Sequence, residues 1–146
     1  MNDELLAYIQ EWFKKADNDL RNAEILLNCG ENDIPYDTLC FHCQQASEKY
    51  IKGYLSYKET DFPKTHNLAD LIGICSQIDL SFSSYITETE KLTPYAVEMR
   101  YPDDFYMPSE EEAREAFRIA SEVKNLIKQK IADNLAGGKN GNLPKE

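Results

Sequence analysis

From Leu5 to Leu27, apolar residues return every three or four positions: Leu5, Ile9, Trp12, Phe13, Ala16, Leu20, Ala23 and Leu27. A 3.6-residue period held over so many turns commits residues 3–29 to one amphipathic helix. It also commits the fold to partners that cover its apolar stripe. Asn2 or Asp3 can cap the start, and Gly30 can end it.

The same period recurs downstream. Pro35 is placed to open a second helix running to about Tyr57. On it Tyr36, Leu39, Cys40, Cys43, Ala46, Tyr50 and Tyr54 make an apolar side, with Ser47 beside it. A third, shorter helix spans Asn67 to Ile78. Asp79 to Ser84 is a break, with Ser83 or Ser84 as the next cap, and a fourth helix runs from about Tyr85 to Met99. Pro94 should kink that helix or delay its regular part. Arg100 to Pro108 holds two prolines and no helical period. Ser109-x-x-Glu112 is a capping box for a last helix carrying Ala113, Ala116, Phe117, Ala120, Val123, Ile127 and Ile131. No strand or repeat is visible. The expected fold is all-α: an antiparallel up-and-down bundle of about five helices over residues 1–134, with a flexible tail at 135–146.

Charge and cysteines narrow the function. With 16 Lys+Arg against 26 Asp+Glu, the net charge of -10 argues against coating nucleic acid through the overall field. A local basic groove stays compatible. No apolar run approaches the ~20 residues that span a bilayer, and Met1-Asn2-Asp3-Glu4 does not open a signal peptide. A cytoplasmic protein without membrane contact is expected. Cys40-x-x-Cys43 has the spacing of half a zinc site, but no second pair follows, and Cys29 and Cys75 stand apart. Buried free thiols are expected, with no metal and no cofactor.

The second helix has another side. His42, Gln45, Lys49 and Lys52 form a polar stripe at helical spacing, neutral to cationic on an acidic protein. Two readings stand for its lysines: contacts to a ligand, or surface charges with Glu48 and Lys52 as an i,i+4 pair. Arg100 is likewise either a phosphate contact or a partner of Asp103 or Asp104. His66 directly precedes the third helix and can help close its first turn. Trp12, Phe41 and the tyrosines read as core or dimer interface rather than as base-stacking platforms. Gln44 and Gln45 suit a nucleotide or a protein partner.

Four motifs then occur in order. They are Trp12, Ala16, Asp19, Leu20, Ala23 and Leu27 on the first helix; Phe41-x-x-Gln44-Gln45-Ala46-x-Glu48-Lys49-x-x-Lys52 on the second; Lys64-Thr65-His66-Asn67-Leu68-x-x-Leu71; and Leu92-Thr93-x-Tyr95 before Arg100-Tyr101-Pro102-Asp103. Together, over about Leu6 to Ile131, they resemble the HEPN domain. The resemblance implies a bundle of about five helices, usually a homodimer, associated with nucleotide binding. It also implies a small nucleotidyltransferase as partner protein, in a toxin–antitoxin-type pair. Some members are metal-independent ribonucleases with an Arg-x(4–6)-His signature. Here Arg100 takes the Arg position, but Phe105, Tyr106 and Met107 stand where His should follow. The histidines, His42 and His66, both lie upstream. Metal-free RNA cleavage needs one group to take the 2′-hydroxyl proton and another to protonate the leaving oxygen. Tyr106 can bind a phosphate but is a poor base, with an unperturbed pKa of about 10. The standard ribonuclease activity is therefore not expected. Candidate ligand contacts are Gln45, Lys49, Lys52, His66, Arg100, Asp103 and Tyr106, with nucleotide or RNA as ligand. The alternative is a non-catalytic helical protein-interaction module.

Overall fold

In the computed structural model, which describes residues 2–96 and 106–136, the chain forms five α-helices and, among those residues, no strand. They are α1 (Asp3–Leu27), α2 (Tyr36–Tyr57), α3 (Leu68–Ile78), α4 (Ile86–Glu90) and α5 (Glu110–Ala136), with 3-10 turns at Leu80–Tyr85 and Thr93–Ala96. Of the expected tail at 135–146, Leu135 and Ala136 belong to α5 instead, and 137–146 lie outside the described residues, as does the segment 97–105 with Arg100 and Asp103.

Asn2 caps α1, its Oδ1 accepting from Leu5 N at 2.7 Å. The helix stops at Asn28, whose side-chain amide donates to the Glu24 carbonyl at 3.0 Å, and Gly30 follows in the left-handed region at φ 78. α2 returns antiparallel to α1, so Asp19 meets Lys49 and His42 while Phe13 stacks on Tyr50. α5 then runs alongside α2 in the same sense: Lys124 lies over the Tyr50 ring, and Asn134 reaches the Tyr57 hydroxyl. Its direction follows from two connections, residues 58–67 and the stretch after α3, which each carry the chain back along the bundle.

α2 is the central element. The sequence marks only one apolar side on it, yet every residue from Tyr50 to Tyr57 is buried. α1 and α5 flank it, Phe82 packs on Tyr54 with ring centroids 5.1 Å apart, and Phe62 folds over Lys52. Closeness to α1 depends on Gly53, where a Cβ would sit 2.6 Å from Phe13 Cε1.

Three local expectations change. Cys40, Cys43 and Cys75 are buried, but Cys29 is exposed in the turn after α1. The break is a 3-10 turn capped by Asp79, and the fourth helix starts after Tyr85 with no side-chain cap, neither Ser83 nor Ser84 serving as one. Both serine hydroxyls instead donate back to carbonyls of the preceding turn. The fourth helix is one short turn, ending at Glu90. Pro94 explains the stop, because it has no N–H for the Glu90 carbonyl and its ring crowds that position.

The capping box forms as spelled. Ser109 Oγ accepts from Glu112 N at 3.1 Å, and Glu112 Oε1 accepts from Ser109 N at 2.9 Å. Replacing Ser109 with Ala is expected to cost about 1 kcal/mol, read as a lower urea midpoint at unchanged m-value. Among the described residues, no helix is long and apolar enough to cross a membrane.

Candidate functional site

The polar stripe of α2 is bound into two networks, each centred on a carboxylate. Asp19 reaches across from α1. Its Oδ2 takes Lys49 Nζ at 2.5 Å, and its Oδ1 faces His42 Nδ1 at 3.1 Å. The antiparallel pairing puts Asp19 there, between Ala16 and Leu20 on an otherwise apolar stripe. Burial pushes the Asp19 carboxyl up, but the hydrogen bonds from His42 and Lys49 and their charges hold it below its ordinary value.

Glu48 centres the second network and belongs to α2 itself. Its Oε2 accepts from Lys52 Nζ at 2.8 Å, the i,i+4 pair legible in the sequence. Its Oε1 accepts from Gln44 Nε2 at 3.0 Å and faces His66 Nδ1 at 2.9 Å. Gln44 Nε2 also donates to the His66 carbonyl at 3.1 Å, and Gln45 donates to Gln44 Oε1 at 2.7 Å. The Glu48 and Lys52 side chains are only 7% and 9% exposed, whereas His66 is 68% exposed. Burial again pushes the Glu48 carboxyl up, and the bonds from Lys52, Gln44 and His66 outweigh it, so the group is held below its ordinary value.

This arrangement has chemical consequences. Both lysines face a carboxylate, so the stripe carries its charge internally compensated. Lys52 is an inward group; Lys49 is part-exposed and can exchange Asp19 for another anion. An ionised Glu48 accepts, so a neutral His66 carries its proton on Nδ1 and leaves Nε2 as an exposed acceptor. His66 does not cap α3. Asn67 does, accepting from Asp70 N at 2.9 Å, while Thr93 and Glu90 take the amides of Leu68 and Ala69. With those N–H groups satisfied, the start of α3 is not an open anion site.

The structure thus brings Gln45, Lys52 and His66 into one network, with Lys49 in the neighbouring one. Tyr106 belongs elsewhere, on the entry to α5, where its hydroxyl donates to Glu112 at 2.6 Å. That bond, with burial, raises the phenol above its ordinary value and moves it further from acting as a base. Arg100 and Asp103 lie outside the described residues. The buried thiols are no nucleophiles at neutral pH: burial pushes Cys40 and Cys75 up to about 12, and Cys43 higher. Of the residues that organise the site, Asp19 is legible in the sequence only as a motif member, Glu48 also through its i,i+4 spacing to Lys52, and Gln44 as a candidate ligand or partner contact rather than as the bridge it forms between Glu48 and the His66 carbonyl.

No curated protein sequence matches the chain. Two solved structures are similar. ST0689, an archaeal HEPN homologue, superposes with a TM-score of 0.65 at 25% identity, covering 84% of this chain and 97% of its own. TT1696 from Thermus thermophilus superposes with a TM-score of 0.69 at 25% identity and the same coverage, 84% and 97%. The family model described as the HEPN domain matches residues 9–131. That span takes in α2, α3, α4 and most of α1 and α5, and the chain belongs to the HEPN domain family.

Proposed function

We propose that this HEPN protein binds a nucleotide or RNA without cleaving it by the metal-independent route. It acts in the cytoplasm as a homodimer and as the partner of a small nucleotidyltransferase in a toxin–antitoxin-type system. The observation that carries the reading is Arg100 without its histidine. Phe105, Tyr106 and Met107 fill the positions where His would stand, and His42 and His66 each face a carboxylate. The phosphate contact falls to Arg100, whose planar fork suits phosphate oxygens, and to Lys49 by exchange with Asp19. Lys52 serves chiefly to neutralise Glu48. Gln45, His66, Asp103 and Tyr106 complete the set of proposed contacts.

Titrating ATP and a short RNA against wild type and Lys49→Ala at two salt concentrations tests this. The expected result is binding to wild type at low salt that weakens with added salt and with loss of Lys49. Absence of binding to wild type at low salt removes the reading. A nucleotidyltransferase gene beside this one is the expected genomic context.

One observation favours a second reading, the helical protein-interaction module. Tyr106 and Met107, 55% and 44% exposed, lie side by side at the entry to α5. Adjacent exposed apolar side chains fit a protein partner or a second copy.

A further inference from the structure

A cavity of about 600 Å³ opens between the first half of α1, the end of α2 and the connection that follows it. Three rings wall it. Tyr8 and Trp12 meet edge-on at 6.0 Å, and Trp12 meets Phe62 edge-on at 6.4 Å. The volume lies in the range of small-molecule sites, about 300–1,000 Å³. Tyr8 is 51% exposed beside the opening, so its ring is free to take a planar partner. A single exposed aromatic is ordinary, but three contiguous rings around one cavity are a built surface.

The polar groups narrow the ligand class. Trp12 Nε1 is shielded from water and finds no acceptor among the described residues. Trp12 is part-buried and lines the cavity, so a ligand acceptor there would satisfy this donor. At the rim Lys64 stands with Glu59 and Asp61, while the charge of Lys52 is already matched by Glu48. A bare phosphate gains nothing from a rim with two carboxylates to one free lysine and has no use for the rings. A lipid chain has no use for the carboxylates. A planar heterocycle with both N–H donors and acceptors on its edge uses all of it: faces against the rings, N–H groups toward Glu59 or Asp61, an acceptor for the indole N–H, and a phosphate trailing toward Lys64. Stacking on aromatic side chains is how proteins hold bases without depending on net charge.

We propose that this cavity takes a nucleobase, supplied by a free nucleotide or by the end of a single-stranded RNA. The proposal rests on the reading that this protein binds nucleotides, and it places a base, with its phosphate toward Lys64, in a position separate from the Lys49 and Arg100 contacts. It also connects to the polar network, because Lys52, at the cavity wall, shares the Glu48 carboxylate with His66.

Trp12 is the only tryptophan in the chain, so its emission reports on this cavity alone. AMP and a short single-stranded RNA are titrated separately into the full-length protein. Binding is followed by calorimetry and, in parallel, by tryptophan fluorescence excited at the red edge of indole absorption. The expected result is saturable quenching whose midpoint matches the calorimetric one. Quenching by AMP alone assigns a free nucleotide, and by RNA alone an RNA end. Tyr8→Ala, a surface change that leaves the core intact, should weaken binding about fivefold or more. Calorimetric binding with unchanged Trp12 emission, and no effect of Tyr8→Ala, overturns the cavity site while leaving the nucleotide reading standing. No binding by either method overturns both.

Discussion

Glu48→Ala is expected to destabilise the protein by about 3–5 kcal/mol. The carboxylate is 7% exposed and holds Lys52, itself 9% exposed, together with Gln44 and His66. Removing it strands a buried ammonium and an amide donor, and an uncompensated buried charge costs far more than the pair contributes. Glu48→Leu combined with Lys52→Met should lose much less, because an apolar pair of similar volume needs no compensation. Acid titration gives a second reading of the same group. Its folded value is depressed, so its stabilisation is complete above the ordinary 4.5 and is lost as pH falls through the lowered folded value. Asp19 acts in the same direction. Glu48→Gln should accordingly flatten the acid side of the stability profile relative to wild type. A cost for Glu48→Ala under about 1 kcal/mol, the range of exposed ion pairs, would contradict the description of this network as interior.

Gly53→Ala and Gly73→Ala should shift stability in opposite directions. In a helix interior Ala is favoured over Gly by about 1 kcal/mol. At Gly73, in α3, nothing lies within 4 Å of an added Cβ, so this gain should appear as a higher urea midpoint. At Gly53 the Cβ would sit 2.6 Å from Phe13 Cε1 and 3.0 Å from Cδ1. The Phe13 ring is 2% exposed and stacked on Tyr50, so it has little room to retreat. Overpacking of this kind costs about 1–3 kcal/mol, enough to exceed the helix gain. Phe13→Leu combined with Gly53→Ala should cost less than the two single changes summed, since both act on one contact. A Gly53→Ala protein as stable as wild type would show that α1 and α2 are not pressed together at this point.

Local signals in the sequence carried the long helices, because there period and caps agree. Asn2, Pro35 and the Ser109–Glu112 box mark ends that the structure places within a residue or two. The region from Asp79 to Ala96 was harder. Its serines read as caps, yet their hydroxyls bond backward, and the helix expected to run on to Met99 with a kink or delay at Pro94 stops at Glu90. The candidate site was half legible. Lys52 with Glu48 is a spacing on one helix and could be read directly. Asp19 with Lys49, and His66 with Glu48, are joined only by tertiary packing across 30 and 18 residues of chain. No local pattern reports such pairs. That is why the stripe reads as open and cationic in the sequence but is compensated in the fold. The aromatic cavity was hidden for the same reason, since Trp12 and Phe62 meet only when the connection after α2 folds back over α1.

The most direct test of the account is an RNA cleavage assay with purified protein in excess chelator. On the proposed reading, Phe105, Tyr106 and Met107 after Arg100 offer no group suited to the proton transfer, and Tyr106 is raised above its ordinary value by its bond to Glu112. The predicted result is intact RNA at protein concentrations that saturate binding. Robust metal-independent cleavage, abolished by Arg100→Ala, would contradict the account and show that a residue outside the expected spacing supplies the catalytic proton transfer.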